Sequence, residues 1–217
     1  PSAYLRQENF CLYTDVQNSP TTLLRETPAS TGMAERLAPA KTAESVTAGH
    51  PDKLCDSISD AILDACLMID PNARVAVETL VKGTEEKAFI VLAGEVTLAG
   101  EINDEEYESI ARKTASEIGY IDHSIGMDAT NPETCEVTVL ITTQSQFISQ
   151  GVDGDMESQG AGDQGVMFGF ACKETEGTHG MEGRLFPLPA ALAQRICRRL
   201  DAIVASGEIP WVRPDGK

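Results

Sequence analysis

RVAVETLVKGTEEKAFIVLAGEVTL, residues 74–98, decides the fold class. Apolar and β-branched residues alternate through 74–82 and again crowd 88–98, while Gly83-Thr84-Glu85-Glu86 between them is short and polar. The pattern predicts an antiparallel hairpin. Upstream, Leu54, Ile58, Ala61, Ile62, Ala65 and Ile69 recur at helical spacing, opposite Asp56, Ser57, Asp60 and Asp64, so 51–69 is predicted to be an amphipathic helix. Gly49-His50-Pro51-Asp52 is its entrance. Proline suits the first turn because its missing N–H would lack an intrahelical partner there, and an acidic neighbour favours the positive end of the helix dipole. Asp70-Pro71-Asn72 ends the helix.

Downstream, Asp104 is placed to cap a helix carrying Tyr107, Ile110, Ala111, Thr114 and Ile118, closed by Gly119. Residues 136–142 read as a strand, 144–164 as a loop rich in Gly, Gln and Ser, and 166–172 as a further strand. Leu188, Leu192, Ile196, Leu200 and Ile203 define a last helix that ends at Ser206-Gly207. Helix, hairpin, helix, strand, loop, strand, helix is the order of an α+β layer structure, with helices covering one face of a mixed or antiparallel sheet. The sequence holds no strand, Gly-rich turn and helix of the dinucleotide-binding kind.

With 217 residues, 41% hydrophobic and 24% charged, the chain is long enough for a sizeable core. Its net charge of −17 opposes DNA, RNA and anionic membranes, so nucleic-acid and membrane partners are not expected, and a polyanionic substrate would need metal ions as intermediaries. The apolar runs fall well short of the roughly 18 residues of a membrane span. Six scattered cysteines, with no CxxC pair and no zinc spacing, read as reduced thiols in a cytoplasmic protein. Residues 1–40 show no sustained period and read as a leader, poorly ordered or loosely docked, with Met33 as a candidate natural start.

Four stretches carry chemistry. In 44–53, backbone N–H groups at a helix start attract phosphate, His50 can donate to a phosphate or bridging oxygen, and Asp52 can hold Mg²⁺; a simply capped helix is the bland alternative. Glu78 and Glu95 interrupt apolar strands. Alternation puts Glu78 on the face of Ala76 and Leu80, and Glu95 on that of Val91 and Ala93. An inner-face carboxylate needs a cation or ligand, an outer-face one only water, and both readings stay open. Around Asp163, three glycines would let backbone approach a ligand closely, and the carboxylate could accept from a ribose hydroxyl or a substrate amine; a surface turn is the alternative. Residues 209–217 set Trp211 beside Arg213, Asp215 and Lys217, where the cations could neutralise phosphate and Asp215 could accept from adenine or ribose.

In this order, TAESVTAGHPDK (42–53), VAVET (75–79), LAGEVT (92–97), the 144–153 loop, ESQGAGDQGVMFGF (157–170) and PWVRPDGK (210–217) resemble the motifs of the S-adenosylmethionine synthetase family. The resemblance covers about 42–217 and leaves out 1–40. It implies a reaction of L-methionine with ATP that yields S-adenosylmethionine and triphosphate, the latter then hydrolysed to diphosphate and phosphate. His50 resembles the family's triphosphate-contacting, catalytic histidine, Asp52 its Mg²⁺ ligand and Glu78 its K⁺-site glutamate. Glu95, Gln144 and Asp163 resemble methionine-binding residues. Asp215 and Lys217 resemble the ATP-binding pair, with Glu44 near the nucleotide, and 144–155 is similar to the gating loop.

The resemblance also implies a homo-oligomer, a dimer or a dimer of dimers with active sites at the interface. The family continues past the position of Lys217, so an N-terminal portion is expected: 41–150 as the N-terminal domain and 151–217 as the start of a truncated central domain. A separate chain carrying the second half would complete it. A non-catalytic, regulatory subunit that keeps the dimer surface is the competing class.

Overall fold

The computed structural model describes residues 40–143 and 165–217. Helix α1 spans Pro51–Ile69, strands β1 and β2 span Arg74–Gly83 and Ala88–Thr97, and helix α2 spans Asp104–Ile118. Two short strands, β3 (Ile121–Asp122) and β4 (Met127–Asp128), flank the 3₁₀ turn His123–Ile125; strand β5 is Cys135–Thr142 and helix α3 is Leu188–Ser206. The hairpin is antiparallel, with Arg74 opposite Thr97 and Gly83 opposite Ala88, and β5 runs parallel to β2, so the sheet β1-β2-β5 is mixed. The α+β class and the mixed sheet agree with the sequence reading.

One face of that sheet is the core. Val77, Ala88, Ile90, Leu92, Val96 and Cys135 are buried against Leu54, Ile58, Ile62 and Cys66 of α1 and Tyr107, Ala111 and Ala115 of α2. The period-two face of the strands thus meets the apolar stripes of two helices. A hydrogen bond of 2.8 Å between the hydroxyls of Ser59 and Thr79 joins α1 to β1 within this layer.

Two local expectations are corrected. Asn103, not Asp104, caps α2: its side chain accepts from the Glu106 N–H at 2.9 Å while Glu106 accepts from the Asn103 N–H at 3.0 Å. This reciprocal pair satisfies two donors that a cap one residue later would leave open. Residues 165–172 form no strand, and Val166, Met167, Phe168 and Phe170 are exposed. β-branched and aromatic content favours a strand only where a neighbouring strand supplies the ladder, and among the described residues no strand pairs with this segment.

By backbone proximity the chain falls into two compact units. Among the described residues, one comprises 40–45 and 171–195, the other 46–143, 165–170 and 196–217. In the first, Thr175 is fully buried and its hydroxyl accepts from the Phe186 N–H at 3.4 Å, while Glu174 accepts from Lys41 and from the Leu188 N–H that begins α3. The second holds the sheet, α1 and α2.

Candidate active site

The turn that enters α1 is tied down at three consecutive residues. Buried Thr47 donates its hydroxyl to the Pro214 carbonyl at 3.4 Å, the Ala48 N–H donates to Asp201 Oδ1 at 2.9 Å, and the Tyr120 hydroxyl donates to the Gly49 carbonyl. A hydrogen bond of 3.1 Å from the His50 N–H to the Thr47 carbonyl closes the turn. His50 then caps α1: its Nδ1 accepts from the Asp52 N–H at 3.1 Å, one of the donors at a helix start that has no partner within the helix. With Nδ1 accepting, the neutral ring carries its proton on Nε2, and that nitrogen is the donor. The Asp52 carboxylate stands 3.8 Å from Nδ1, with its side chain 85% exposed.

Residues 213–217 form a closed loop, with the Gly216 N–H donating to the Arg213 carbonyl and the Arg213 N–H to the Lys217 carbonyl, both at 2.8 Å. Inside it the Asp215 side chain is only 9% exposed, 3.4 Å from Arg213 Nη2 and 3.3 Å from Lys217 Nζ. Arg213 also donates to the Ile125 carbonyl at 2.8 Å, which anchors the loop to the 3₁₀ turn. Since Thr47 and Gly49 both touch Pro214, the His50–Asp52 turn and the Asp215–Lys217 loop are docked on each other.

Burial and the nearby Asp215 carboxylate raise the Tyr120 phenol above its ordinary range, against the opposing pull of Arg213, so the hydroxyl is a donor at neutral pH. Burial likewise raises Asp201, partly offset by the N–H of Ala48. Sequence reasoning does not single out Tyr120 or Asp201. Asp201 lies next to Leu200 in the apolar pattern of α3, a faint signal, and Tyr120 merely follows a helix-ending glycine.

Glu78 and Glu95 lie on the sheet face turned away from the helices, Glu78 exposed and Glu95 half-buried. Of the two faces left open by alternation, this is the outer one. Glu95 pairs in register with Ala76 and Thr142. Helix α1 runs back along β1, so its start lies at the Gly83 end of the sheet, where the 3₁₀ turn also packs: the His123 ring bonds the Glu85 carbonyl at 3.2 Å. From Ala76 to Gly83 is roughly 20 Å of strand. One copy of the chain therefore sets Glu95 and His50 at opposite ends of the layer. Glu44 belongs to the other compact unit, and Gln144 and Asp163 lie outside the described residues.

Among the described residues no group of three His, Cys, Asp or Glu side chains is close enough to hold a metal ion, and no helix is long and apolar enough to cross a membrane.

Comparison with known proteins adds to this geometry. Residues 39–146 match the family model for the S-adenosylmethionine synthetase N-terminal domain, and residues 158–217 that for its central domain. The chain is 44% identical over 187 residues to the S-adenosylmethionine synthase of Trichodesmium erythraeum, covering 81% of this chain and 40% of that protein. It is 46% identical over 187 residues to that of Gloeothece citriformis (81% and 41%) and 50% identical over 190 residues to that of Roseiflexus castenholzii (81% and 43%). The chain thus spans about two fifths of the length of the curated relatives it matches.

Proposed function

We propose a function from one premise: this chain belongs to the S-adenosylmethionine synthetase family, of which it carries the N-terminal domain and a stretch of the central domain. On that premise it is the ATP- and methionine-handling portion of a methionine adenosyltransferase. The observation that carries the reading is the docking of the 47–52 turn on the 213–217 loop, which sets an imidazole donor and an exposed carboxylate beside a loop holding Arg213, Asp215 and Lys217.

The chemistry asks little of a general base. A lone pair on the methionine sulfur forms the bond to C5′ of ATP while the C5′–O bond breaks and its electron pair leaves with the triphosphate, which is then hydrolysed to diphosphate and phosphate. A thioether is already nucleophilic, so the protein's work is positioning and stabilising the charge that leaves. His50 Nε2–H donates to the departing oxygen. Lys217 faces the phosphates, and Asp215, held by Arg213 and Lys217, accepts from the nucleoside. The family resemblance assigns Glu44 to the nucleotide, and Glu95, Gln144 and Asp163 to the methionine.

Mg²⁺ is commonly held by one or two carboxylates plus substrate phosphates, with several waters retained, and an exposed Asp52 beside His50 suits that mode better than a closed cage. Mg²⁺ held by Asp52 would supply positive charge against the departing triphosphate, which would let a chain of net charge −17 handle ATP. Glu78 would hold K⁺ on the outer sheet face.

The separation of Glu95 from His50 within one copy supports a homo-oligomer in which facing sheets bring the two groups together across the interface. The free thiols of Cys55, Cys66, Cys135, Cys172 and Cys197 fit a reducing compartment, the cytoplasm.

The test is an assay of this chain joined to the segment that its relatives carry beyond the matched region, with ATP, methionine, Mg²⁺ and K⁺. S-adenosylmethionine, phosphate and diphosphate should appear, and residues 1–217 alone should not turn over at an enzyme-like rate. Absence of product from the joined enzyme would overturn the reading. Robust turnover by 1–217 alone would show that the chemistry needs nothing further.

A further inference from the structure

We propose that Tyr120 is a positioning residue for His50, acting through the Gly49 carbonyl rather than by touching substrate. The inference rests on the role given to His50 above. Its structural basis is the order of contacts: the Tyr120 hydroxyl donates to the Gly49 carbonyl, and that carbonyl belongs to the peptide group whose nitrogen is His50's own. Rotation of this peptide would change the direction in which His50 leaves the backbone. It would also pull Nδ1 away from the Asp52 N–H, the bond that turns Nε2–H outward as donor.

Thr47 and Ala48 are held to Pro214 and Asp201 before the Gly49–His50 peptide. That peptide is held at both of its polar atoms, the His50 N–H by the Thr47 carbonyl at 3.1 Å and the Gly49 carbonyl by Tyr120. Of these two bonds, the one from Tyr120 reaches the peptide from outside the turn. Tyr120 is itself rigidly held. Its side chain is buried, it directly follows the left-handed Gly119 that ends α2, and its N–H donates to the Ala115 carbonyl at 3.1 Å. An aromatic ring has only two side-chain torsions to fix, so packing of the ring aims the hydroxyl. Burial keeps that hydroxyl protonated, and a phenol in this position can act only as donor toward a carbonyl.

The test uses Tyr120→Phe, which keeps the ring and its packing and deletes the hydroxyl. The first arm is amide hydrogen exchange on the 217-residue chain and needs no catalysis. Loss of one hydrogen bond should speed exchange of the Asp52 N–H by about tenfold while the amides of Ile58 and Ile62 in the same helix keep their protection. Unchanged exchange at Asp52, or equal acceleration along the whole of α1, overturns the proposal.

The second arm is kinetic, on the joined enzyme. Tyr120→Phe should lower kcat by about tenfold and leave both KM values within about twofold, and in a His50→Asn background the same change should cost less than about twofold. Equal costs in both backgrounds would make Tyr120 merely structural and overturn its role. Failure of the underlying reading looks different: the parent enzyme makes no product, or His50→Asn alone is fully active, whatever happens at Tyr120.

Discussion

Gly49 and Pro214 meet backbone to backbone: a Cβ built on Gly49 would stand 2.1 Å from the Pro214 carbonyl oxygen and 2.7 Å from the Pro214 Cβ. Two segments separated by most of the chain approach so closely that only glycine fits between them. The neighbouring pair behaves alike, since a Cβ on Gly216 would stand 2.9 Å from Thr47 Cγ2.

Gly49→Ala should therefore push the 213–217 loop off the 47–50 turn. Because the obstructing atoms are backbone, relief requires a shift of the chain, at a cost of about 1–3 kcal/mol and a fall in Tm of several degrees. Gly177→Ala, where an added Cβ meets nothing within 4 Å, should stay within about 0.5 kcal/mol. Thermal unfolding of the two variants side by side checks the contrast.

Two aspartates should give pH dependences of opposite sign. Asp70 accepts from the N–H groups of Ala99 and Asn72, both at 2.8 Å, and these hold its carboxyl below the usual range. A depressed carboxyl contributes stability above its unfolded value and loses it as pH falls through the folded one. Asp201 is raised by burial, so its contribution is most favourable below the ordinary carboxylate range and declines as pH rises through the folded value. Urea midpoints from about pH 3 to about pH 7 should show a flatter acid limb for Asp70→Asn and, for Asp201→Asn, loss of the decline just above the carboxylate range. Both variants keep an oxygen acceptor, so an unchanged profile would contradict the assignment rather than report a broken fold.

Glu95→Gln in the joined enzyme should raise the KM for methionine about tenfold, since an amide keeps the shape but gives up the charge that faces an ammonium group. The KM for ATP should move much less. Steady-state kinetics with each substrate varied in turn decides it, and equal weakening of both would contradict the placement of methionine at Glu95.

The outer sheet face should mediate self-association. Leu80 and Leu140 are each 58% exposed there, beside half-buried Phe89 and Val91. Replacing both leucines by Glu should weaken the oligomer roughly a hundredfold or more, given about 1.5–3 kcal/mol per buried leucine. Light scattering would then report monomers with unchanged circular dichroism. A variant that keeps its oligomeric mass would show that the contact lies elsewhere.

What the sequence determined by itself is local. Periodicity and end signals suffice for α1 with its His50-Pro51-Asp52 entrance and for the hairpin to within a residue, because each rests on contacts a few positions apart. The motifs are legible for the same reason, as short strings whose residue types suit phosphate, cation and amine. The cap of α2 is local too: Asn103 displaces Asp104 because it makes a reciprocal bond with Glu106, three residues on. Two things needed the tertiary structure. The apolar stretch 166–170 forms no strand where no ladder partner is described beside it. The docking of 47–50 on 213–217, with Tyr120 and Asp201 as its braces, joins positions 71 to 167 residues apart. No window of local sequence holds such pairs: what selects them is a close approach of backbones and the need to satisfy buried N–H and C=O groups, and both exist only once the layers have packed.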